Sequence, residues 1–227
     1  RSPSRGLGDV YKRQGLGSIL SERSSRVTFP DLSNFRLGRV RGYRRIFAHT
    51  PSIFVERGIA NRETLEMSSL SAEPCEEASF VCTAFEVVDE GQGMDAFRER
   101  EEEFELRMVP FEDLEGNLTG MGMLCVASTD AAYIKAWGEE RFKRLYTDKG
   151  IRTIWDWSHT SGLRPCSPYL RHCVLAAQKL GPVAEASFLD ETYLVDRETT
   201  VRQYLSAAGS KVMSSLPPSE LAERYSG

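Results

Sequence analysis

The order of hydrophobic and polar positions divides the chain into a strand-rich first half and a helical second half. Residues 35–47 alternate roughly between apolar and basic side chains, and this period of two predicts a half-buried strand. Residues 79–88 (SFVCTAFEVV) are β-branched and aromatic, the composition of a buried strand. Shorter apolar runs predict further strands at residues 16–20, 53–55, 65–70, 106–111 and 121–127.

Helical signals dominate the second half of the chain. Thr129 or Asp130 can cap one helix, and Ser167 can cap another with Pro168 at its first position. The predicted helices cover residues 94–103, 129–145, 167–181 and 199–212. Strands followed by helices, without regular alternation, predict an α+β fold. We expect a small mixed β-barrel or roll flanked by helices, with a helical C-terminal extension.

The same pattern suggests how the chain is divided. Residues 1–14 lack an initiator Met and resemble a translated adapter sequence, so we expect them to lie apart from the fold, disordered or unpacked. Residues 15–127 form the expected core, and residues 128–212 form the helical extension packed on it. Two consecutive prolines and a polar end predict that residues 213–227 are a tail.

Composition narrows the functional classes. The chain has 227 residues, 41% hydrophobic and 27% charged, with a net charge of −4. A nucleic-acid-binding face needs a surplus of Lys and Arg, which this balance lacks. No stretch approaches the ~20 apolar residues of a membrane span. Five scattered cysteines in a chain of this length indicate reduced thiols and a cytoplasmic protein.

A glycine-bearing segment is the first candidate for chemistry. Two glycines around one residue let the backbone approach a ligand closely and leave amide donors pointing outward, which suits a carboxylate. An ordinary tight turn at the end of a strand is the alternative, because short glycine motifs are common. The segment comprises Gly15, Leu16, Gly17, Ser18 and Ile19.

Glu101 is the second candidate. On a helix it shares one face with Met94, Phe97 and Phe104, so its carboxylate would be partly desolvated and would act better as a base. The alternative is a solvated helix face, since residues 98–103 are all charged. Glu99 and Glu102 are rival bases in the same run.

Two further groups of residues favour structural roles. The Cys and His residues near the second predicted helix do not have the paired spacing of zinc ligands, so we expect no metal site there. They are His159, Cys166, His172 and Cys173. Four arginines could steer an anionic substrate, but the solvent face of a strand is the preferred interpretation for most of them. They are Arg39, Arg41, Arg44 and Arg45.

Four segments in order resemble the γ-glutamylcyclotransferase-like superfamily, which includes glutathione-specific relatives. Residues 15–20 (GLGSIL) resemble its opening G-Y-G-S-L stretch, and residues 42–47 (GYRRIF) resemble its G-Y-R-R-x-F strand. Residues 71–88, a small polar turn followed by FVCTAFEV, resemble a strand that reads G-x-x-F-E-V. Residues 100–104 (REEEF) resemble R-E-x-x-Y. The resemblance covers residues 15–109.

The resemblance implies an activity. Glu101 would be the general base, and the amides of Gly17 and Ser18 would bind the α-carboxylate of a γ-glutamyl peptide, a γ-glutamyl amine or glutathione. The α-amine would attack the γ-amide and release 5-oxoproline without a cofactor or a metal. The small molecule is the expected partner, with no nucleic acid or membrane, and the sequence specifies no oligomeric state. The implied substrate-binding set is Gly15, Leu16, Gly17, Ser18 and Ile19.

A non-catalytic binding or scaffold protein with the same fold is the alternative. Leu16 stands where the superfamily has an aromatic residue, so a hydroxyl contact from that position is lost. The glutamate-rich run also offers several carboxylates in place of a single base.

Overall fold

The computed structural model describes residues 10–15, 20–88 and 101–227, and the strands named here are those of these residues. Two of them, β2 and β3, are long enough to run through both the barrel and the helical part of the molecule. The strands are β1 (Val10–Gly15), β2 (Ser33–His49), β3 (Glu66–Val88), β4 (Glu105–Glu112), β5 (Leu118–Val126), β6 (Arg164–Pro165) and β7 (Thr192–Leu194).

Within the described residues the strands form one mixed sheet with the order β6-β3-β1-β5-β4-β2-β7. Additional pairing of β3 with β2 closes β3, β1, β5, β4 and β2 into a ring. Two strand pairings of this ring involve one residue pair each. They are Arg13↔Met123 between β1 and β5 and Arg39↔Glu112 between β2 and β4. The predicted α+β class with a small mixed barrel is confirmed.

The antiparallel β2–β3 ribbon forms most of the frame and bends at one irregularity. Arg41 pairs with Ser79 and Tyr43 pairs with Pro74, so residues 75–78 bulge out opposite Gly42. Gly42 has φ 77°, in the left-handed region that favours glycine. The ribbon therefore has two arms, one in the barrel and one under the C-terminal helices.

Helices follow and flank the barrel. The predicted cap at Thr129 is confirmed, since its side chain accepts a hydrogen bond from the amide of Ala132. Thr200 caps the last helix, in a capping box with Gln203. The helices are α1 (Glu22–Thr28), α2 (Ser52–Glu56), α3 (Asp130–Trp137), α4 (Glu139–Leu145), α5 (Ser167–Lys179), α6 (Pro182–Asp190) and α7 (Val201–Ser214), with 3₁₀ turns at Thr147–Lys149 and Ser219–Leu221.

Apolar residues bury themselves in clusters on the two sides of the ribbon. One side joins Phe47 and Leu70 to α5, α6 and α7, and the other joins Ile46 and Met67 to α3, α4 and a segment containing Trp155. A further cluster belongs to the barrel strands. The helical half therefore packs directly against β2 and β3. None of the helices in the described ranges is both long and apolar enough to cross a membrane.

The structure corrects several local expectations. Residues 53–55 lie in helix α2, not in a strand, because three apolar residues are too few for their period to separate the two. The predicted helix 129–145 is interrupted at Gly138, whose φ is 90°, giving α3 and α4. Helix α6 was missed, although Pro182 stands at its start.

The expected ends of the domain also differ from the structure. Residues 10–14, expected to lie apart, pair with β3 from Val10↔Val88 onward, while residues 1–9 and the strand expected at 16–19 lie outside the described residues. The expected tail is packed, because Tyr225 is buried and its hydroxyl accepts a hydrogen bond from Arg57. The buried ring of Tyr225 therefore fixes the end of the chain, although the residues around it are mostly polar.

Candidate functional site

The segment that carries Glu101 is a turn immediately before β4. The amide of Phe104 donates to the carbonyl of Glu101 at 2.9 Å, and the strand begins at Glu105. The described end of the predicted helix 94–103 is therefore a turn, and residues 94–100 lie outside the described residues. Glu101 and Phe104 therefore do not share the face of a regular helix that the sequence predicted. Tertiary contacts determine the surroundings of Glu101.

The side chain of Glu101 is half-buried and lies against the barrel. Its Oε2 is 4.0 Å from Sγ of Cys125, near the end of β5. Cys125 is buried in the barrel cluster with Leu124 and Val126. The sequence expectation that Glu101 is partly desolvated therefore agrees with its position beside an apolar wall.

Glu102 is bound by the helical extension. Its carboxylate accepts a hydrogen bond from the hydroxyl of Tyr133 at 2.8 Å and forms an ion pair with Arg141 at 2.5 Å. The indole N–H of Trp137 donates to its backbone carbonyl at 3.2 Å. Burial, together with the neighbouring carboxylate, raises the pKa of Tyr133 to about 12, and hydrogen bonding to Glu102 raises the pKa of Arg141. This glutamate is occupied by structural partners.

Glu103 is held by residues from both halves of the molecule. Nε2 of His49 lies 3.0 Å from its Oε2, at ion-pair distance rather than in an aligned hydrogen bond. The hydroxyl of Tyr146 donates a short hydrogen bond to its Oε1, and burial with this carboxylate nearby raises the pKa of Tyr146. The indole of Trp155 donates to its carbonyl at 2.9 Å. Glu103 is thus also committed to partners.

The glycine-bearing segment begins beside this site. Strands β1 and β5 run parallel with Arg13 opposite Met123. Two residues further along both strands, Gly15 is level with Cys125, the residue in contact with Glu101. Of the expected substrate-binding residues, Gly15 is therefore at the same end of the barrel as Glu101. Leu16, Gly17, Ser18 and Ile19 lie outside the described residues.

The four arginines do not form an anion-binding patch. Arg45 is fully buried, contrary to the expected solvent face, and burial lowers its pKa to about 10. Its guanidinium lies between the rings of Phe80 and Phe188, each 5.0 Å away. The other three are paired with carboxylates: Arg39 with Glu191, Arg41 with Glu112 and Arg44 with Glu73.

The Cys and His set is dispersed. Cys166, His172 and Cys173 are buried, whereas His159 is exposed on a separate loop. Burial raises the pKa of Cys166 to about 12, as expected for a structural thiol. Among the described residues, no cluster of three or more His, Cys, Asp or Glu side chains could hold a metal ion. All five cysteines are described, and none forms a disulfide.

Sequence reasoning missed the polar group around Glu103. His49 and Ser69 face each other across the β2–β3 ribbon, and Nδ1 of His49 lies 2.6 Å from Oγ of Ser69. Tyr146 and Trp155 reach the same place from the helical half. No local motif marks these residues, because they are brought together only by strand pairing and helix packing.

Comparisons with solved structures show likeness of fold at low identity. A structure named gamma-glutamyl cyclotransferase has a TM-score of 0.40 and 12% identity, covering 66% of this chain and 92% of that chain. A crystal structure of an uncharacterized protein from Homo sapiens has a TM-score of 0.42 and 12% identity, covering 66% and 91%. A solution structure of an Arabidopsis thaliana protein has a TM-score of 0.39 and 15% identity, covering 66% and 90%.

Searches by sequence gave no match. No protein-family model matches the chain, and no curated protein matches it. The comparisons therefore consist of these solved structures, each matched at low identity and with a TM-score below 0.5.

Proposed function

We propose that this protein is a γ-glutamylcyclotransferase that releases 5-oxoproline from a γ-glutamyl peptide or amine. The observation that carries the proposal is the convergence of Glu101, Cys125 and Gly15 at one end of the barrel. A half-buried carboxylate there stands beside the start of the segment that resembles the superfamily's substrate loop.

The position of Glu101 supports its role as the base. Glu102 is paired with Arg141 and Tyr133, and Glu103 with His49 and Tyr146. Glu101 contacts Cys125 at the end of the barrel where β1 ends at Gly15, which makes it the best placed of the three to reach a substrate bound there.

The proposed reaction closes a ring within one substrate molecule. The neutral α-amine of the substrate attacks the γ-carbonyl carbon, and Glu101 accepts the proton that this nitrogen loses as the bond forms. The new C–N bond forms a five-membered lactam, the old amide C–N bond breaks, and the proton passes from Glu101 to the departing amine. On the sequence resemblance, the amides of Gly17 and Ser18 bind the α-carboxylate. Holding the chain bent supplies much of the rate, since intramolecular effective molarities reach about 10⁵ M or more.

A non-catalytic binding protein is the second candidate. It is favoured by Leu16, which replaces the aromatic residue of the superfamily motif. In this case the same site would hold a γ-glutamyl compound without transforming it.

The test is direct product detection with matched substrates. The purified protein is incubated with γ-glutamyl-alanine, a γ-glutamyl amine and glutathione, and 5-oxoproline is measured by chromatography. α-Glutamyl-alanine is the control, because its side-chain carboxyl group is free and it has no γ-amide that the α-amine could attack. The proposal predicts 5-oxoproline from at least one γ-glutamyl compound and none from the control. Calorimetric binding of a γ-glutamyl compound without product would favour the binding protein and contradict the cyclotransferase.

A further inference from the structure

We infer that His49 and Glu103 are positioning residues that hold the turn 101–104, and with it Glu101, in place between the barrel and the helical extension. The inference rests on the proposed role of Glu101 as the base. It also gives the helical extension a part in the site: the helices fix the turn from one side while the end of β2 fixes it from the other.

The ribbon side of this contact is rigid. His49 is the last residue of β2, and its strand partner is Ser69. The ring is 1% exposed and lies 2.6 Å from Oγ of Ser69 through Nδ1. It stacks on Trp155 with ring centroids 4.4 Å apart and contacts Phe104 at 4.5 Å. Strand pairing and ring packing together leave the imidazole one orientation.

The turn is attached to this ring and to the helical half at once. Oε2 of Glu103 is 3.0 Å from Nε2 of His49, and Oε1 accepts the hydroxyl of Tyr146, which follows α4. Trp155 fixes the carbonyl of Glu103 and packs edge-on against Phe104. The carboxylate and the carbonyl of Glu103 and the ring of Phe104 are therefore all held by buried partners.

These contacts act on Glu101 because the connection is short. Glu103 is separated from Glu101 by one residue, and the turn closes with a single hydrogen bond between residues 101 and 104. Displacements of about 1 Å at a catalytic group can lower the rate on the order of 10²-fold. Loss of the hold on Glu103 is expected to move Glu101 away from Cys125 and from the end of β1.

We expect the contact between His49 and Glu103 to orient the turn rather than to stabilise the fold. A contact between two buried polar side chains adds little net stability, because removing both groups from water offsets their attraction. Apolar side chains of similar volume would fill the same space between Phe104 and Trp155. They would not supply a polar group beside the carboxylate of Glu103.

The experiment measures kcat together with the reactivity of Cys125, which can be measured even if the protein is inactive. Cys125 is 8% exposed and contacts Glu101, so its alkylation by iodoacetamide, followed by peptide mass spectrometry, reports whether the turn still covers it. The variants are His49→Leu, which keeps volume and removes both polar contacts, and His49→Gln, which restores a donor. Thr192→Val is the control, because it removes the buried hydrogen bond that Arg45 donates to Thr192, a contact outside the turn.

The two readouts separate the possible outcomes. In His49→Leu we expect Cys125 alkylation to rise at least ~5-fold and kcat to fall ~10-fold or more, with KM changed less, and partial recovery in His49→Gln. Thr192→Val should change neither, even with an equal loss of thermal stability. Should His49→Leu fail to fold, Glu103→Gln replaces it with the same expectation.

Unchanged alkylation and kcat in the folded His49 variants would overturn the inference. So would equal increases in alkylation in His49→Leu and Thr192→Val, which would indicate general loosening. If the unaltered protein makes no 5-oxoproline, the proposed function fails, but alkylation of Cys125 still decides whether His49 and Glu103 hold the turn.

Discussion

The Sγ atom of Cys125 lies 4.0 Å from Oε2 of Glu101, where β5 reaches the end of the barrel. In the proposed reaction this thiol lines the site and takes no part in the chemistry.

We therefore expect Cys125→Ala to retain kcat within about 5-fold, since the proton acceptor is unchanged. The variant should lose about 1 kcal/mol of unfolding free energy, because a buried side chain is truncated. Urea unfolding and 5-oxoproline release measure the two effects. Cys82→Ala, at a fully buried barrel thiol, is the control for stability. A kcat loss near 10²-fold in Cys125→Ala alone would mean that the thiol takes part in the chemistry.

Thr192→Val tests the buried guanidinium of Arg45. Nε of Arg45 donates to Oγ1 of Thr192 at 2.7 Å, and both residues are fully buried. The variant keeps the volume but leaves a charged donor without its acceptor, so we expect a loss of about 1–3 kcal/mol in unfolding free energy. Thr119→Val, at an exposed hydroxyl, should change it by less than ~0.5 kcal/mol. Equal effects at the two positions would show that the buried contact adds nothing.

Lys211→Met tests the carboxylate of Glu66. Burial alone would raise the pKa of Glu66, but hydrogen bonds from Thr64 and Lys211 outweigh it and keep this pKa below its ordinary value. A carboxyl with a lowered folded-state pKa stabilises the fold above its unfolded-state pKa and loses that contribution as pH falls through the folded-state pKa. Removing Lys211 should therefore destabilise the protein at neutral pH and matter less in acid.

The expected loss at pH 7 is about 0.5–1 kcal/mol, because the lysine is largely exposed. Urea unfolding at pH 7 and at acid pH measures the change. Lys143→Met, in an exposed pair with Asp148, should be nearly silent at both pH values. A Lys211→Met effect that grows in acid would have the wrong sign for this account.

Gly42 and Gly209 form a matched pair of glycine substitutions. Gly42 has φ 77° and open space where a methyl group would stand, so Gly42→Ala should cost about 1–2 kcal/mol through backbone strain alone. Gly209 lies inside α7, where an added methyl group would make an ordinary contact with Leu205, so Gly209→Ala should gain about 0.5–1 kcal/mol. Thermal unfolding of both variants checks the signs. A gain in Gly42→Ala would show that the bend in the ribbon does not need this conformation.

The sequence predicted those parts of the fold that local periodicity determines. The alternation in residues 35–47 and the apolar run in residues 79–88 correspond to β2 and β3, and the polar cap at Thr129 correctly marks the start of α3. The short run 53–55 failed because three residues have no measurable period, and tertiary packing placed them in a helix. Strand β3 was predicted as two short strands, residues 65–70 and 79–88, because the bulge at residues 75–78 interrupts its apolar pattern.

The site was predictable in part. Glu101 stays a prediction as the base: its carboxylate lies against Cys125, in a turn rather than on the helical face that the sequence suggested. His49 and Tyr146 were not identified, because they lie 54 and 43 residues from Glu103 and share no motif with it. Their roles depend on strand register and on helix packing, which composition and spacing do not encode.

The central claim is that Glu101 is the general base, and Glu101→Gln tests it most directly. The change keeps the shape of the side chain and removes its ability to accept a proton. Glu105→Gln is the matched control, because Glu105 is exposed and pairs with Arg107 away from the barrel wall. Both proteins must first show a cooperative thermal transition, so that kinetics are compared on folded material.

The decisive measurement is kcat for 5-oxoproline release by the unaltered protein, Glu101→Gln and Glu105→Gln. The account predicts a loss of roughly 10²-fold or more in Glu101→Gln with KM little changed, and no significant loss in Glu105→Gln. Full activity in Glu101→Gln, or equal losses in the two variants, would contradict it.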